Sequence, residues 1–312
     1  MNDFLFLKNI SNKKIAITGS NGFVSKHVID LLNKIQKKKN NIIKINSKNT
    51  DYSNVNKLVK KFNKVDYVIH LSSATGGIKY TKENMADQFY ITMLKDLNVF
   101  EACKKAKVKK MITLGNLHAY PIKISEPINE NKIHQGLPNK THLGIGWSKR
   151  NLSVMSEVFS KKSKTKYIIV YSANAYGPGD SRDLNYGHII PTIILKCLAN
   201  KDIKLFGSAN AVREFIYIKD LATIILISLV KINKSCYFNV GSGEKITIKE
   251  LIKLIVKLTK FNKKIKYLNK IKDNSKRFFD NKIYNKLIKY KVKYNLISGL
   301  KETIDWYKSE LP

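Results

Sequence analysis

The chain has few cysteines and no long apolar run. Cys103, Cys197 and Cys236 lie far apart among 312 residues, and none belongs to a CxxC pair. This spacing excludes a dense disulfide framework and a cysteine-based zinc site, and it favours a reducing compartment. No segment reaches the roughly 18 apolar residues of a membrane span, and the apolar patch near the N-terminus is too short for a signal peptide. We expect a cytoplasmic protein without a membrane segment.

Acidic residues and arginines are also scarce. Lysine and arginine number 58 against 23 acidic residues, a net charge of +35, and only Arg150, Arg182, Arg213 and Arg277 are arginines. Such a charge is typical of nucleic-acid binding, because phosphate contacts supply most non-specific affinity. Lysines are spread along the whole chain, however, and nucleic-acid readers usually also use arginine forks. We favour a compositional bias toward lysine and keep nucleic-acid binding as an alternative. In either case the field attracts anionic ligands.

Short apolar segments alternate with helical ones through the first half of the chain. The strand-like segments are "KKIAIT", "NIIKIN", "DYVIHL", "KKMITLG" and "KYIIVYS". The alternation predicts an α/β fold in which a parallel sheet is covered by helices on both faces. After Tyr171 the pattern loosens. We expect one domain from residues 1–171, rejoined by 211–240, and a smaller C-terminal α/β lobe from 172–210 and 241–312.

A glycine-containing turn follows the first strand. "ITGSNGFVSKH" places Gly19 and Gly22 directly between that strand and a helix. Glycines let the backbone approach a pyrophosphate, and the N–H groups of a helix N-terminus face its charge. Ser25 stands where the dinucleotide-binding pattern has its third glycine. The turn predicts a dinucleotide site, and an ordinary glycine turn is the alternative.

Eight segments in order resemble the extended short-chain dehydrogenase/reductase family, also called the NAD-dependent epimerase/dehydratase family. The nearest members are nucleotide-sugar epimerase/reductases of the GDP-L-fucose synthase type, and the resemblance covers residues 13–310. It implies a first domain with a doubly wound Rossmann fold that binds NAD(P), and a smaller second lobe that binds a nucleotide diphosphate-sugar. The segments are "TGSNGFVSKH", "VIHLSSATGG", "GNLHAYP", "GWSKRN", "NAYGPGD", "HIIPTIILK", "FGSANAVREFIYIKDLA" and "FNVGSGEKITIKEL".

The resemblance implies a set of cofactor-binding residues. Asp51 matches an acidic residue that contacts adenine, although a loop aspartate is an equal alternative. The second strand ends in "INSKN" and lacks the acidic residue that would bind a ribose 2′-hydroxyl. Because Ser47 and Lys48 can accept a 2′-phosphate, we expect NADP rather than NAD. The residues matched to the pyrophosphate loop and to the third strand's end are Gly19, Asn21, Gly22, Phe23, Val24, Leu71, Ser72 and Ser73.

The implied catalytic set departs from the family pattern. Family members use a serine, a YxxxK tyrosine and lysine, and a helix asparagine to move a proton while nicotinamide carries hydride. Lys149 matches the lysine and can still bind the cofactor ribose. Ile145 occupies the tyrosine position, Asn116 the serine position and Thr92 the asparagine position. Asn116 can still donate a hydrogen bond to an oxyanion, whereas Ile145 has no ionisable proton. Loss of the tyrosine therefore predicts impaired reduction.

Histidines offer a replacement for the proton chemistry. His118 and His188 match the acid-base pair that similar synthases use for epimerisation, and the pKa of histidine lies near neutrality. Asn174 and Arg213 match residues that bind the nucleotide-sugar, and a guanidinium suits a diphosphate. We therefore expect an enzyme, a nucleotide-sugar epimerase/reductase without a metal. A pseudoenzyme that binds cofactor or nucleotide-sugar is the alternative.

The resemblance also implies how two copies of the chain associate. Family members commonly pair through a bundle formed by two helices of each copy. In this chain those helices are the segment 84–107 and the one that begins near Trp147. We expect a homodimer on this analogy.

Overall fold

The centre of the fold is a parallel sheet of six strands. A computed structural model describes residues 7–35, 41–206, 208–268 and 275–310. With strands numbered along the whole chain, the sheet contains β1 (Ile15–Thr18), β2 (Ile42–Ile45), β3 (Tyr67–His70), β4 (Lys110–Asn116), β5 (Lys166–Ser172) and β9 (Cys236–Val240). Their spatial order is β2-β1-β3-β4-β5-β9, and all neighbours are parallel. The predicted Rossmann α/β class is confirmed.

Helices cover both faces of this sheet. On one face α1 (Phe23–Ile35) packs against α7 (Ile218–Lys231). On the other, α4 (Met85–Lys105) packs against α2 (Val55–Phe62) and α5 (Leu143–Lys161). Among the helices in the described part of the chain, none is both long enough and apolar enough to cross a bilayer. The apolar patch near the N-terminus lies mostly outside the described residues.

Within the described residues, a smaller lobe contains six further strands. Strand β8 is its centre and pairs with β6, β10 and β12, while β7 and β11 form a separate parallel pair. The domain boundary at residue 171 stays a prediction. In the structure β8 lies in the smaller sheet, whereas α7 and β9 lie with the large one. The strands are β6 (Asn174–Tyr176), β7 (Ile203–Phe206), β8 (Val212–Tyr217), β10 (Lys245–Thr247), β11 (Ile265–Leu268) and β12 (Lys276–Arg277). The remaining helices are α3 (Ile78–Glu83), α6 (Ile189–Leu198), α8 (Ile248–Thr259), α9 (Lys282–Leu287) and α10 (Leu296–Ser309).

Local sequence accounts for these elements. All four residues of β1 are buried, as expected for a parallel strand covered on both faces. In α1, Val28 and Leu32 are one turn apart and both are buried, so this face packs on the sheet. Helix α8 begins with a capping box in which Thr247 and Glu250 exchange hydrogen bonds.

The strand order also locates a binding crevice. Strands β2 and β3 lie on opposite sides of β1, so the chain connections leave β1 and β3 in opposite directions. In doubly wound sheets, ligands bind outside the carboxyl ends of the strands at such a switch point. Thr18 ends β1 and His70 ends β3, so the loops that follow these residues form the crevice.

Candidate functional site

In the turn after β1, position 19 requires glycine for two reasons. Gly19 has a φ of +68°, and a Cβ there would lie 2.7 Å from the carbonyl oxygen of Leu71. The N–H of Gly22 donates to the carbonyl of Gly19 at 2.8 Å, which closes the turn that leads into α1. Backbone atoms rather than side chains therefore line this part of the crevice. That arrangement fits a pyrophosphate.

The other residues predicted for this loop lie at the start of α1. Asn21 is exposed, whereas Phe23 and Val24 are partly buried against the core. Ser25 is buried, and its Oγ has no hydrogen-bond partner among the described residues. Buried hydroxyls without a partner are uncommon, so Ser25 leaves a polar atom beneath the phosphate loop.

The residues predicted for the adenosine end lie together beside an open depression of 620 Å³. Asp51 is exposed, and its Oδ1 accepts hydrogen bonds from both the N–H and the hydroxyl of Ser53. These hydrogen bonds lower the pKa of Asp51, so it is ionised at neutral pH. A carboxylate among lysines makes this end of the crevice mixed in charge but predominantly basic. The lining residues are Ser47, Lys48, Asn49, Thr50, Asp51, Lys57, Lys60 and Lys61.

The end of β3 contacts α4. Leu71 donates its N–H to the carbonyl of Thr18, and Ser72 is buried. The hydroxyl of Ser73 lies 3.4 Å from that of Thr92, which also accepts a hydrogen bond from the N–H of Ala74. Thr92, matched to the helix asparagine, therefore holds the loop that follows β3.

Lys149 belongs to a buried polar chain. Its Nζ lies 3.6 Å from Oδ2 of Asp96 on α4. Oδ1 of Asp96 lies 2.8 Å from Nε2 of His70, and Nδ1 of His70 lies 2.6 Å from the hydroxyl of Thr18. Burial lowers the pKa of His70, so its ring is neutral, and the carboxylate of Asp96 faces the ammonium of Lys149. The chain links β1 and β3 to the helix that carries the predicted catalytic lysine.

Neither Ile145 nor Asn116 offers an ionisable side chain. Ile145 is 3% exposed on the first turn of α5. Asn116 accepts a hydrogen bond from the N–H of His118 through its Oδ1, so it caps the short 3₁₀ turn Leu117–Ala119. Its amide nitrogen keeps the capacity to donate. The arrangement contains no hydroxyl at either of these two positions.

A pair of histidines lies beside these positions. The rings of His118 and His142 stack with centroids 3.9 Å apart and planes at 11°. Burial lowers the pKa of His118 well below 6.5, with smaller contributions from His142 and from two arginines. Burial also lowers the pKa of His142 to about 4, so both rings are neutral at neutral pH. Sequence reasoning missed His142, although it stands one helical turn before Ile145.

His188 has the opposite electrostatic environment. Its Nδ1 lies 3.5 Å from Oδ1 of Asp180, and its side chain is about half exposed at 48%. The hydrogen bond to Asp180 raises the pKa of His188 and outweighs the effect of desolvation. His188 therefore holds a proton at a pH where His118 does not. Histidines of opposite protonation state can serve as acid and base.

Two arginines lie on adjacent strands of the smaller lobe. Arg213 of β8 is in register with Arg277 of β12. Arg277, which sequence reasoning missed, donates to the carbonyls of Leu117 and Pro121, on either side of His118. Its contacts therefore join the smaller lobe to the loop after β4.

Arg213 itself binds the backbone around it. It donates to the carbonyls of Val212 and Ser275 and to the hydroxyl of Ser275. Asn174, also predicted to bind substrate, donates to the carbonyl of Glu214 at 3.3 Å. The positive charges of Arg213 and Arg277 both lower the pKa values of His118 and His142. The guanidinium groups are thus near the histidines, where an anionic ligand would be attracted.

The arrangement falls into two parts. The glycine turn and the depression near Asp51 form the first part, on the β1 to β3 side of the sheet. The second part contains the stacked rings of His118 and His142, together with Arg277, which binds the carbonyls around His118, and its strand neighbour Arg213. The charge of His188 also lowers the pKa of His118. Among the described residues, no cluster of three or more histidine, cysteine or acidic side chains could hold a metal ion.

Comparison with curated proteins gives relatives along most of the chain. A GDP-L-fucose synthase from Dictyostelium discoideum is 27% identical over 263 residues, 82% of this chain and 82% of that protein. A GDP-L-colitose synthase from Yersinia pseudotuberculosis is 26% identical over 307 residues, 95% of this chain and 98% of that protein. Both relatives are nucleotide-sugar synthases by name.

Solved structures show the same fold, and a family model settles the family. A GDP-6-OMe-4-keto-L-xylo-heptose reductase from C. jejuni matches with a TM-score of 0.89 at 22% identity, covering 96% of this chain and 99% of that one. At that identity the likeness shows the fold alone. The model of the NAD dependent epimerase/dehydratase family matches residues 15–241, well over half of the chain. The chain therefore belongs to the NAD dependent epimerase/dehydratase family.

Proposed function

We propose that this protein is a nucleotide-sugar epimerase/reductase that binds NADP and a GDP-4-keto-6-deoxyhexose-like substrate. The observation that carries the proposal is the pair of histidines with opposite pKa displacements, His118 and His188, beside Arg213 and Arg277. Curated relatives named GDP-L-fucose synthase and GDP-L-colitose synthase support the substrate class. Arginines suit the diphosphate of such a substrate because a guanidinium can bind its oxygens in a bidentate manner.

The crevice fits the cofactor. Gly19 lacks the Cβ that would collide with Leu71, and the first turn of α1 offers N–H groups without acceptors in the helix. The lysines around the depression at Ser47 and Lys48 suit a 2′-phosphate, which supports NADP with NAD as the alternative. When bound, the cofactor supplies hydride transfer.

The histidines suit proton exchange beside a ketone. Neutral His118 accepts the proton of a C–H group next to the carbonyl, and the electron pair moves onto the carbonyl oxygen as an enolate. Protonated His188 returns a proton to the carbon, with inversion if it acts from the opposite face. The arginine charges and the amide of Asn116 stabilise the negative charge that develops. Each cycle exchanges one proton and leaves the redox state of the sugar unchanged.

Reduction is the weaker half of the proposed activity. The lysine of the YxxxK pair is present as Lys149, but it faces Asp96, and Ile145 offers no proton. A positioned acid usually contributes about 10²- to 10⁴-fold, so its loss slows reduction by a comparable factor. Epimerisation does not use the tyrosine and is expected to persist.

Deuterium exchange tests the proposal directly. The protein is incubated in deuterated buffer with 4-keto GDP-, dTDP- and UDP-sugars, with and without NADPH, and the sugars are analysed by mass spectrometry. We expect deuterium at C3 or C5 of the GDP-sugar without cofactor turnover. Absence of exchange and of turnover with every sugar would refute the enzymatic proposal.

A second candidate is a pseudoenzyme that binds cofactor or nucleotide-sugar without turnover. It is favoured by the buried Ile145 and by the use of Asn116 as a turn cap. The double variant Ile145→Tyr with Asn116→Ser discriminates between the two. The pseudoenzyme would be supported if the wild type neither oxidised NADPH nor exchanged deuterium, and the double variant oxidised NADPH.

The surface of α4 and α5 supports a homodimer as part of the proposal. These two helices pack together, and each exposes large apolar side chains on the outside. Tyr90 and Leu97 of α4 are 65% and 42% exposed, and Val154 and Val158 of α5 are 46% and 54% exposed. Burying such a patch against a second copy is favourable. Val158→Lys is expected to give a monomer by light scattering, and an unchanged mass would count against this surface.

A further inference from the structure

The stacked histidines have features that a pair of packing side chains would not need. The rings of His118 and His142 are nearly parallel, and they contact face to face at 3.9 Å. Nδ1 of His142 is buried and has no hydrogen-bond partner among the described residues. A buried nitrogen of this kind usually has a partner, so its isolation points to a ligand or to a functional role.

The position of His142 in the chain connects it with the altered catalytic set. It precedes α5 directly, three residues before Ile145, and it ends the short 3₁₀ turn Lys140–His142. Helix α3 packs on that turn. His118 lies in the 3₁₀ turn after β4 that Asn116 caps. Two separate turns therefore each place one histidine beside Ile145, which occupies the tyrosine position.

The strongest charges around the pair are basic. They come from every side: Arg213 of β8, Arg277 of β12, Lys82 of α3 and His188 ahead of α6. If both rings of the pair were protonated, two positive charges would be in contact. The basic surroundings would add to their repulsion. Like charges this close cannot both be accommodated without a large cost.

We propose that His142 is a positioning residue for His118, and that the two stacked rings form one unit that accepts at most one proton. The inference rests on the proposed function, in which His118 is the base. His142 fixes the plane of His118 and adds to the effect of burial, which keeps that ring neutral until the substrate proton arrives. It takes over part of the ordering role that a tyrosine on α5 would have had.

Histidine titration by NMR tests the coupling without substrate or cofactor. The variants are His142→Phe and His118→Phe, each of which keeps a flat ring in the stack, and the control is His134→Phe, whose histidine contacts Ser153 instead. In His142→Phe the titration of His118 is expected to move to higher pH by about one pH unit. In His118→Phe the pKa of His142, about 4 in the native protein, is expected to stay near that value, because burial and the charges of Arg277, Arg213 and Lys82 set it. The control changes neither.

The wild type keeps the test decisive if His142→Phe does not fold. Coupled rings give biphasic titration curves in the wild type itself. Simple, independent curves for both rings, or a His118 midpoint that does not move in His142→Phe, would overturn the inference.

The pH dependence of deuterium exchange connects the coupling with chemistry. Exchange needs neutral His118, so its rate rises with pH through the pKa of that ring. His142→Phe moves this acidic limb to higher pH, whereas His142→Leu, which removes the stacked ring, lowers the rate at every pH. An acidic limb that stays in place in His142→Phe would contradict the role of His142. Absence of exchange in the wild type would instead refute the proposed function, while the NMR coupling is decided separately.

Discussion

The half of the crevice proposed to bind the cofactor and the half proposed to bind the sugar differ in how far they follow the family pattern. Around Gly19 the backbone geometry demands glycine, and the loop ends of β1 and β3 meet as a dinucleotide requires. Around Ile145 and Asn116 the expected hydroxyls are absent, and histidines and arginines occupy the surroundings instead. The contrast teaches that binding geometry and proton chemistry are encoded by separate residues and can diverge independently.

The largest expected effect is on the sugar side. His118→Gln removes the base but leaves the glycine loop untouched. We expect deuterium exchange to fall by about 10²- to 10⁴-fold while NADP affinity is unchanged. Exchange is measured by mass spectrometry and cofactor affinity by calorimetry. His134→Gln serves as the control, and a His118→Gln variant that exchanges normally would remove the basis of the contrast.

The buried polar chain joins the two halves, so breaking it affects the whole molecule. Asp96→Asn keeps a hydrogen-bond acceptor for His70 but removes the charge that faces Lys149 at 3.6 Å. Leaving a buried ammonium without its partner costs roughly 3 to 5 kcal/mol of unfolding free energy, which urea denaturation measures. The partly exposed pair of Asp66 and Lys109 is the matched control, since Asp66→Asn is expected to cost less than about 1 kcal/mol. Equal losses in the two variants would contradict this account.

Stability should depend on pH through the sugar side. The pKa of His142 falls from 6.5 in the unfolded chain to about 4 in the native protein, so the unfolded state binds the proton first. The contribution of the neutral His142 ring to the free energy of unfolding is therefore fully present above pH 6.5. As the pH falls toward 4, the free energy of unfolding decreases by up to roughly 3 kcal/mol. Unfolding free energies at pH 7, 5.5 and 4 measure the loss. His142→Phe is expected to flatten the profile, and an identical profile in that variant would argue against the depressed pKa.

On the cofactor side, Gly19→Ala is expected to weaken NADP binding by about tenfold or more and to destabilise the fold by roughly 1 to 3 kcal/mol. The added Cβ would meet the backbone of Leu71 in a left-handed conformation. Gly243→Ala is the matched control, because Gly243 also has a positive φ but nothing lies within 4 Å of its Cβ position. Calorimetric titration that shows equal cofactor affinity in both variants would contradict the steric argument.

The smallest expected effect concerns the choice of cofactor. Lys48→Ala removes one exposed charge beside the depression that would hold the 2′-phosphate. A single exposed charge contributes less than about 1 kcal/mol, so NADP affinity should fall only a few-fold while NAD affinity stays constant. Lys253→Ala on α8 is the control for the loss of a lysine elsewhere. Parallel losses for NADP and NAD would show that Lys48 does not sense the 2′-phosphate.

Much of the fold could be predicted because its signals are local. Apolar strands, helical spacing and the glycine turn all lie within short segments, and the confirmed sheet follows from them. The smaller lobe was harder, because its strands are short and pair across long distances in sequence. In β12, which pairs with β8, only two residues form the strand.

The candidate site was predicted unevenly for the same reason. His118, His188 and Arg213 were found by their place in recognisable segments, and their catalytic and binding roles stay predictions. His142 and Arg277 were missed, because no short pattern distinguishes them. Arg277 becomes part of the site only through hydrogen bonds to the carbonyls around His118, more than 150 residues earlier.

The amino-acid sequence by itself determined the layered α/β architecture, the glycine turn after β1 and the absence of a tyrosine at Ile145. These are matters of side-chain type and spacing along one segment, which local sterics and burial translate directly into structure. Only the tertiary structure decided that the pKa of His118 is lowered and that of His188 is raised. That difference depends on how deeply each ring is buried and on which charges the fold places beside it, and neither quantity exists until distant segments have packed together.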